Sequence, residues 1–304
     1  MNKTYISPPY LREGDKVGIC SMASAVSEEA ITKAVKQLEA KGFEVVLDEN
    51  ILAWEFNFAG NDAIRLHALQ SMLDNPEIKA VFSSRGGYGV SKITDDLNFD
   101  KFIENPKWIV GFSDITALHM KIQSIGFQSI HGPMPSTFGY NQNSFDLLIE
   151  TLNGKVGEII TKPNSLNRTG TATAPIIGGN LCLLAHNVGS SGDFSFDNHL
   201  LYIEDIGEYA YNIDRMLVQL QRAGKLNNLA GLIIGDFSDV RENDSPFGKT
   251  VEEIILSHVS DYSYPVCFDF PIGHEKINLA VKNGAIATLE SNIKQSKLTY
   301  NDII

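Results

Sequence analysis

The N-terminal half alternates short apolar runs with helical patterns, and this alternation confines the fold more than any other feature. Lys16-Val17-Gly18-Ile19-Cys20 is a short apolar strand after the turn at Gly14-Asp15. Ser27-Glu28-Glu29 then caps a helix with Ile31, Ala34, Val35 and Leu38 on one face, and Gly42 ends it. Residues 43–47 read as a second strand. Asn61-Asp62 starts a helix with Leu66, Leu69 and Met72 at helical spacing. Residues 78–82 and 108–112 supply a third and a fourth strand. Strands separated by such helical patterns predict crossover units and an α/β fold built on a parallel sheet. In sheets of this kind, ligands bind beyond the carboxyl ends of the strands.

Two segments fall on that rim. Gly111-Phe112-Ser113-Asp114 follows the apolar run Trp108-Ile109-Val110 and precedes a helical pattern with apolar residues at 115, 118 and 122. A strand that turns through glycine into a helix would lift Ser113 onto the turn, the arrangement of a nucleophile elbow. Ser and Asp are also favoured helix caps, so the tetrad alone leaves both readings open. Arg85-Gly86-Gly87-Tyr88-Gly89 also lies just past a strand. It lacks the Gly-Lys-Ser/Thr of a phosphate loop, and no GxGxxG is present. Its amides could line a site where negative charge develops, or its glycines could simply permit a tight strand exit.

Further along, Glu204 ends the apolar run Leu201-Tyr202-Ile203, where a carboxylate needs a partner such as a histidine or an arginine. His274 sits in the turn-rich segment Asp269-Phe270-Pro271-Ile272-Gly273-His274. A loop histidine on a site face is a good general base, with an ordinary pKa of about 6.5. His131, in Ser129-Ile130-His131-Gly132-Pro133, is the second candidate. His119 is expected to face core or solvent. Asn180, in Gly178-Gly179-Asn180-Leu181, could donate to a ligand or cap the helix that follows. Neither an HExxH pair nor a His/Cys/carboxylate cluster of ligand spacing occurs, so neither a metal nor another cofactor is expected.

The chain has 304 residues, 43% hydrophobic and 20% charged, enough for two domains of ordinary size. Its formal net charge of -12 argues against nucleic acid or an anionic membrane as the main partner, since both require a basic face. Cys20, Cys182 and Cys267 are widely spaced and odd in number, which predicts reduced thiols rather than a disulfide framework. Pro8-Pro9 interrupt an N-terminus without a signal-like apolar core. With no apolar run of about 18 residues, the expected address is the cytoplasm.

The expected organisation is a first domain over residues 1–140, a connection over 141–174 containing a capped helix at 144–152, and a second domain over 175–304. In the last, residues 200–203 and 231–234 read as strands and residues 214–226 as an amphipathic helix. Residues 281–289 read as a hairpin turning at Asn283-Gly284.

The combination and order of these segments resemble the LD-carboxypeptidase family of serine peptidases, which includes the microcin C self-immunity peptidases. The resemblance rests on Leu11-Arg12-Glu13-Gly14-Asp15-Lys16-Val17-Gly18-Ile19, Phe58-Ala59-Gly60 with Arg65, and Arg85-Gly86-Gly87-Tyr88-Gly89. It continues through Gly111-Phe112-Ser113-Asp114-Ile115-Thr116, His131-Gly132-Pro133 and Gly178-Gly179-Asn180-Leu181. It ends with Ile203-Glu204-Asp205 through Asp214-Arg215-Met216-Leu217, and Phe270-Pro271-Ile272-Gly273-His274. Two departures stand out. Ser21-Met22-Ala23-Ser24 occupies the place of the family's frequent Pro-Ser, and Ser91-Lys92-Ile93 that of its usual arginine-leucine pair.

The resemblance implies a flavodoxin-like N-terminal domain and a smaller β-rich α/β C-terminal domain, commonly in a homodimer. It implies a triad of Ser113 as nucleophile, His274 as base and Glu204 as its orienter. The oxyanion hole would come from the amides of Gly86 and Asp114. Arg85 and Asn180 are candidates for holding a substrate carboxylate. The implied reaction is release of the terminal D-alanine from murein tetrapeptides in cell-wall recycling. One alternative is cleavage of acyl-sulfamoyl adenylates. Another is a non-catalytic module binding a small anion at helix N-termini.

Overall fold

The computed structural model describes residues 4–155 and 157–301. The N-terminal half forms β1 (Lys16–Cys20), α1 (Glu28–Glu39), β2 (Glu44–Leu47), α2 (Asp62–Asp74) and β3 (Ile78–Ser83). It continues with α3 (Asp100–Glu104), β4 (Trp108–Gly111), α4 (Thr116–Ser124), β5 (Ser129–His131) and α5 (Gln142–Leu152). The starts of the helices follow local chemistry. Ser27 and Asn61 accept from the amides of Ala30 and Ile64, satisfying donors that a helix N-terminus otherwise leaves orphaned.

After α5 come β6 (Glu158–Ile160), β7 (Gly170–Asn180), α6 (Leu181–His186), β8 (Leu200–Ile206), α7 (Ala210–Arg222) and β9 (Gly231–Ser238). The chain closes with α8 (Val251–Val259), β10 (Val266–Cys267), β11 (Val281–Asn283), β12 (Ile286–Ser291) and β13 (Lys297–Tyr300).

Two sheets organise these elements. The first has the order β11-β5-β4-β3-β1-β2, and strands β1 to β5 pair in parallel. Read from the β2 edge, the order 2-1-3-4-5 is flavodoxin-like. Buried residues of α1 and α5, among them Leu38 and Leu148, pack with Val17, Ile19 and Val110 on one face. On the other face, α2, α3 and α4 contribute Leu69, Phe102 and Leu118 beside Val81 and Ile109. Burying a leucine of this kind stabilises by about 1.5–3 kcal/mol, which is why crossover helices with one apolar face suffice to cover the sheet.

The second sheet runs β10-β9-β8-β7-β12-β13-β6. The pairs from β10 to β7 are parallel and the rest antiparallel. Helices α6, α7 and α8 cover one face through Leu184, Ile213, Leu217, Ile254 and Val259. Met120 of α4 joins this cluster, so the first layer is packed directly against the second.

Three local expectations are corrected. Residues 281–289 do not form a hairpin: β11 pairs antiparallel with β5, whereas β12 pairs with β7 and β13. The reason lies in the Asn-Gly turn, whose amides are claimed by another strand. Gly284 donates to the Ile176 carbonyl at 2.7 Å, and Ile176 donates to that of Ala285 at 3.0 Å. The chain therefore turns from one sheet into the other, and a C-terminal strand completes the first sheet.

The stretch 141–174 is also more than a connection. It holds α5, packed in the first core, together with β6 and the start of β7 in the second sheet. Finally, the amphipathic helix begins at Ala210 and ends at Arg222, ahead of the expected range of 214–226. Among the described residues, no helix is long and apolar enough to cross a membrane. Cys20 and Cys267 are buried, Cys182 is partly buried, and all three are free thiols.

Candidate active site

Ser113 is separated from β4 by one residue, Phe112, and lies at the start of a single 3₁₀ turn that leads into α4. Its φ is +63°, in the left-handed region where a non-glycine residue is strained. Extended backbone at Phe112 precedes it, with φ of -147°. The chain thus reverses sharply at the serine and holds its side chain partly exposed at the end of the sheet. A helix cap has no need of this conformation, since N-cap residues ordinarily occupy the β region. No side-chain cap bond is made at this turn.

Gly86 stands against the serine. A Cβ there would lie 3.0 Å from Ser113 Cβ and 3.3 Å from its Oγ, so only glycine brings the backbone this close without displacing the hydroxyl. The loop is braced from behind by Arg65. Its guanidinium is fully buried and donates to the carbonyls of Met22 at 3.2 Å and Gly89 at 2.8 Å. It also pairs with Asp62 and lies 5.0 Å from the Phe58 ring centroid. A side chain at Gly89, whose φ is +127°, would run into this guanidinium at 2.5 Å.

The role of Arg65 was missed from the sequence, although a signal was present. Arg65 falls at i, i+4, i+7 with Leu69 and Met72, a charge inside an apolar stripe. The Asp114 side chain completes the brace by accepting from the Val90 amide at 2.8 Å, and burial pushes its carboxyl up to about 6.

The second sheet contributes an acid and a base. Glu204, wholly buried on β8, accepts through Oε2 from His274 Nδ1 at 2.6 Å. Its other oxygen, Oε1, has no hydrogen-bond partner among the described residues. The histidine is therefore what compensates the carboxylate for leaving water. Since a carboxylate accepts, Nδ1 carries the hydrogen and Nε2 is left as the acceptor of the neutral ring. Burial works against the charged form of His274. The Glu204 carboxylate, with Asp205 and Asp236 behind it, outweighs burial and holds the imidazole above its ordinary value.

The two halves meet in one cavity of about 620 Å³, lined by Arg85, Gly86, Ser113, Tyr140, Ile206 and His274 among others. Phe112, next to the serine, meets the His274 ring edge-on with centroids 4.9 Å apart.

Arg85 is exposed at this cavity and donates to the Ala25 carbonyl at 3.2 Å. Asn180, the other candidate for holding a substrate, is engaged within the protein. Its side chain caps α6 through Leu183 and donates to Asp205 at 2.8 Å, and its own amide donates to Thr116 Oγ1 at 3.1 Å. With the carboxamide used at both ends, Asn180 holds Asp205, and its amide ties the second sheet to the start of α4. Burial, reinforced by neighbouring Glu204, pushes the Asp205 carboxyl up to about 7. His119 donates through Nε2 to the Gly111 carbonyl at 2.9 Å, deep in the core, and His131 is likewise buried. Among the described residues, no group of three or more His, Cys, Asp and Glu side chains is disposed to hold a metal ion.

Comparison with known proteins matches residues 17–132 to the LD-carboxypeptidase N-terminal domain and residues 173–289 to the LD-carboxypeptidase C-terminal domain. The chain is 32% identical to a probable murein peptide carboxypeptidase of Bacillus subtilis, over 93% of this chain and 91% of that protein. The crystal structure of muramoyltetrapeptide carboxypeptidase from Oxalobacter formigenes superposes with a TM-score of 0.84 at 28% identity, covering 94% of this chain and 99% of that one. The microcin C7 self immunity protein MccF shares the fold, with a TM-score of 0.84 at 21% identity over 95% and 97% of the two chains. By both domain matches and by identity along nearly its whole length, the chain belongs to the LD-carboxypeptidase family of peptidases.

Proposed function

We propose that the protein is a serine carboxypeptidase that cuts the amide between an L-centre and the terminal D-alanine of murein tetrapeptides. The observation that carries this reading is the pairing of two unlike features in one cavity. One is a serine on left-handed backbone. The other is a histidine whose far nitrogen is bound to a buried glutamate.

In this mechanism, His274 Nε2 takes the Ser113 proton as Oγ attacks the scissile carbonyl. Glu204 holds the ring in the required tautomer and stabilises the imidazolium. The amides of Gly86 and Asp114 receive the oxyanion, a contribution of about 10²–10³ in rate for one such donor elsewhere. His274 next protonates the departing amine, which leaves as free D-alanine. Water then enters, gives its proton to His274 and attacks the acyl-enzyme, and Ser113 recovers its proton. Arg85 is suited to hold the terminal carboxylate, because it lines the cavity, is exposed there, and is not neutralised by a carboxylate in any contact of the described residues. The substrate class is supported by the murein peptide and muramoyltetrapeptide carboxypeptidases to which the chain is similar.

The test is mass spectrometry of the purified protein after incubation with murein tetrapeptide and, separately, with an aspartyl-sulfamoyl adenylate. Tripeptide and D-alanine are the expected products of the first. Cleavage of the adenylate alone would transfer the protein to the immunity-type activity, and an inert protein with either compound would overturn the reading.

A further inference from the structure

The His131-Gly132-Pro133 segment has no part in this mechanism, yet its histidine occupies a telling position. His131 ends β5, is wholly buried, and is the register partner of Gly111 on β4 and Val281 on β11. Its ring centroid lies 5.8 Å from that of Phe112 and 5.3 Å from that of Tyr202, the latter edge-on at 84°. Phe112 is also the residue that precedes Ser113 and meets the His274 ring at 4.9 Å. Tyr202 is two residues before Glu204 on β8, and both side chains are buried. One buried imidazole therefore touches an aromatic neighbour of the nucleophile and one of the acid.

A second path leads to the base. The Asn278 carboxamide faces the His131 ring, and its Oδ1 accepts from the Gly273 amide at 3.1 Å, one residue before His274. Neither ring nitrogen of His131 nor Nδ2 of Asn278 closes a hydrogen bond of good geometry. An imidazole buried in this way is less favourable than a satisfied one, and a phenylalanine would fill similar space without that penalty. A buried polar group met only by a loosely facing carboxamide asks for a role.

We propose that His131 is a positioning residue for His274, wedging Phe112 against the base's ring and facing the Asn278 that fastens Gly273. The proposal rests on the reading of His274 as the base. His131 does not exchange protons in it. Burial, with His119 and His274 nearby, drives its proton affinity well below the ordinary range and keeps the ring neutral. Around His274 itself, the titratable groups are Glu204 and Asp205 on β8, Asp236 on β9 and His131 on β5.

The experiment compares wild type, His131→Phe and His131→Ala. It measures kcat and KM for D-alanine release per folded molecule, with folded fraction taken from thermal melts, and follows His274 by imidazole ¹⁵N NMR across pH. His131→Ala should lower kcat by about 10–100-fold with KM within about twofold, the size expected for a misplaced catalytic group. His131→Phe, which keeps the wedge but loses the nitrogens, should recover part of that loss. In His131→Ala the His274 titration midpoint should fall, because the ring no longer sits squarely on Glu204.

A merely structural His131 would lower the melting temperature while leaving kcat per folded molecule and the His274 midpoint unchanged, and that result overturns the proposal. If the alanine variant does not fold, His131→Leu, which keeps apolar bulk but loses the flat ring that wedges Phe112, takes its place, and wild-type kcat and midpoint there overturn the proposal equally. The NMR arm needs no turnover. A wild type that releases no D-alanine would therefore sink the proposed function, while the His274 signal still decides the role of His131.

Discussion

The two regions that face each other across the cavity are built on opposite principles. On the first sheet, the elements are backbone ones: a left-handed Ser113, a Gly86 pressed against it, and a loop braced by a buried arginine. Little of that arrangement depends on ionisation at the reacting atoms. On the second sheet, the elements are charges: a carboxylate with no exposure and an imidazole that compensates it at 2.6 Å. Strain holds one region and electrostatics the other. The first should therefore be sensitive to side-chain volume, and the second to protonation.

Substitution at Ser113 is the hardest test of that contrast. Ser113→Ala should reduce D-alanine release by about 10⁴-fold or more. Ser113→Gly should be equally inactive, yet melt at or above the wild-type temperature, because glycine accepts positive φ without strain. A clearly less stable glycine variant would show that the turn is not strained.

Glu204→Gln should follow, lowering kcat by about 10³–10⁴-fold, the scale seen when a base loses its orienting acid. It also carries a pH signature. In wild type, kcat/KM should rise with pH through the His274 midpoint, which the glutamate holds above the ordinary value of about 6.5. Without the carboxylate charge, burial dominates and the midpoint should fall. The sign for stability follows from the same shift. Because the folded value is raised, the contribution of the charged pair is complete below about pH 6.5 and is lost as pH climbs through the folded midpoint. Melts of wild type and Glu204→Gln across this window should converge at the alkaline end. Curves that stay parallel throughout would break the electrostatic account of the second region.

A smaller effect is expected at Gly86. Gly86→Ala should cut kcat by about 10²–10³-fold with a native fold, since the new methyl group sits 3.0 Å from Ser113 Cβ. Stopped assays at several pH values should give an unchanged midpoint, in contrast to Glu204→Gln. A shifted midpoint would mean that the two regions are not separable.

Much of the first region is legible in the order of its residues, because its determinants are local. Strand runs and helix caps at Ser27 and Asn61 stand where their spacing placed them, and Ser113 does sit on the strand-to-helix turn. Such features arise from neighbours a few residues apart. The resemblance of short motifs in order then assigned Ser113, Glu204 and His274 to one family pattern, ahead of any geometry. Only the tertiary structure decided what meets what. It brought Glu204 and His274 into contact across 70 residues, closed the first sheet with β11, and turned Asn180 inward to Asp205. It also buried Arg65 and His131 where a sequence pattern shows only a charge in a stripe and a histidine at a strand end. The physical reason is range. Propensity, capping and turn chemistry act within a few residues. The pairing of a buried charge, or the strand that an amide bonds, is settled by whichever distant group the packed core places within hydrogen-bond reach.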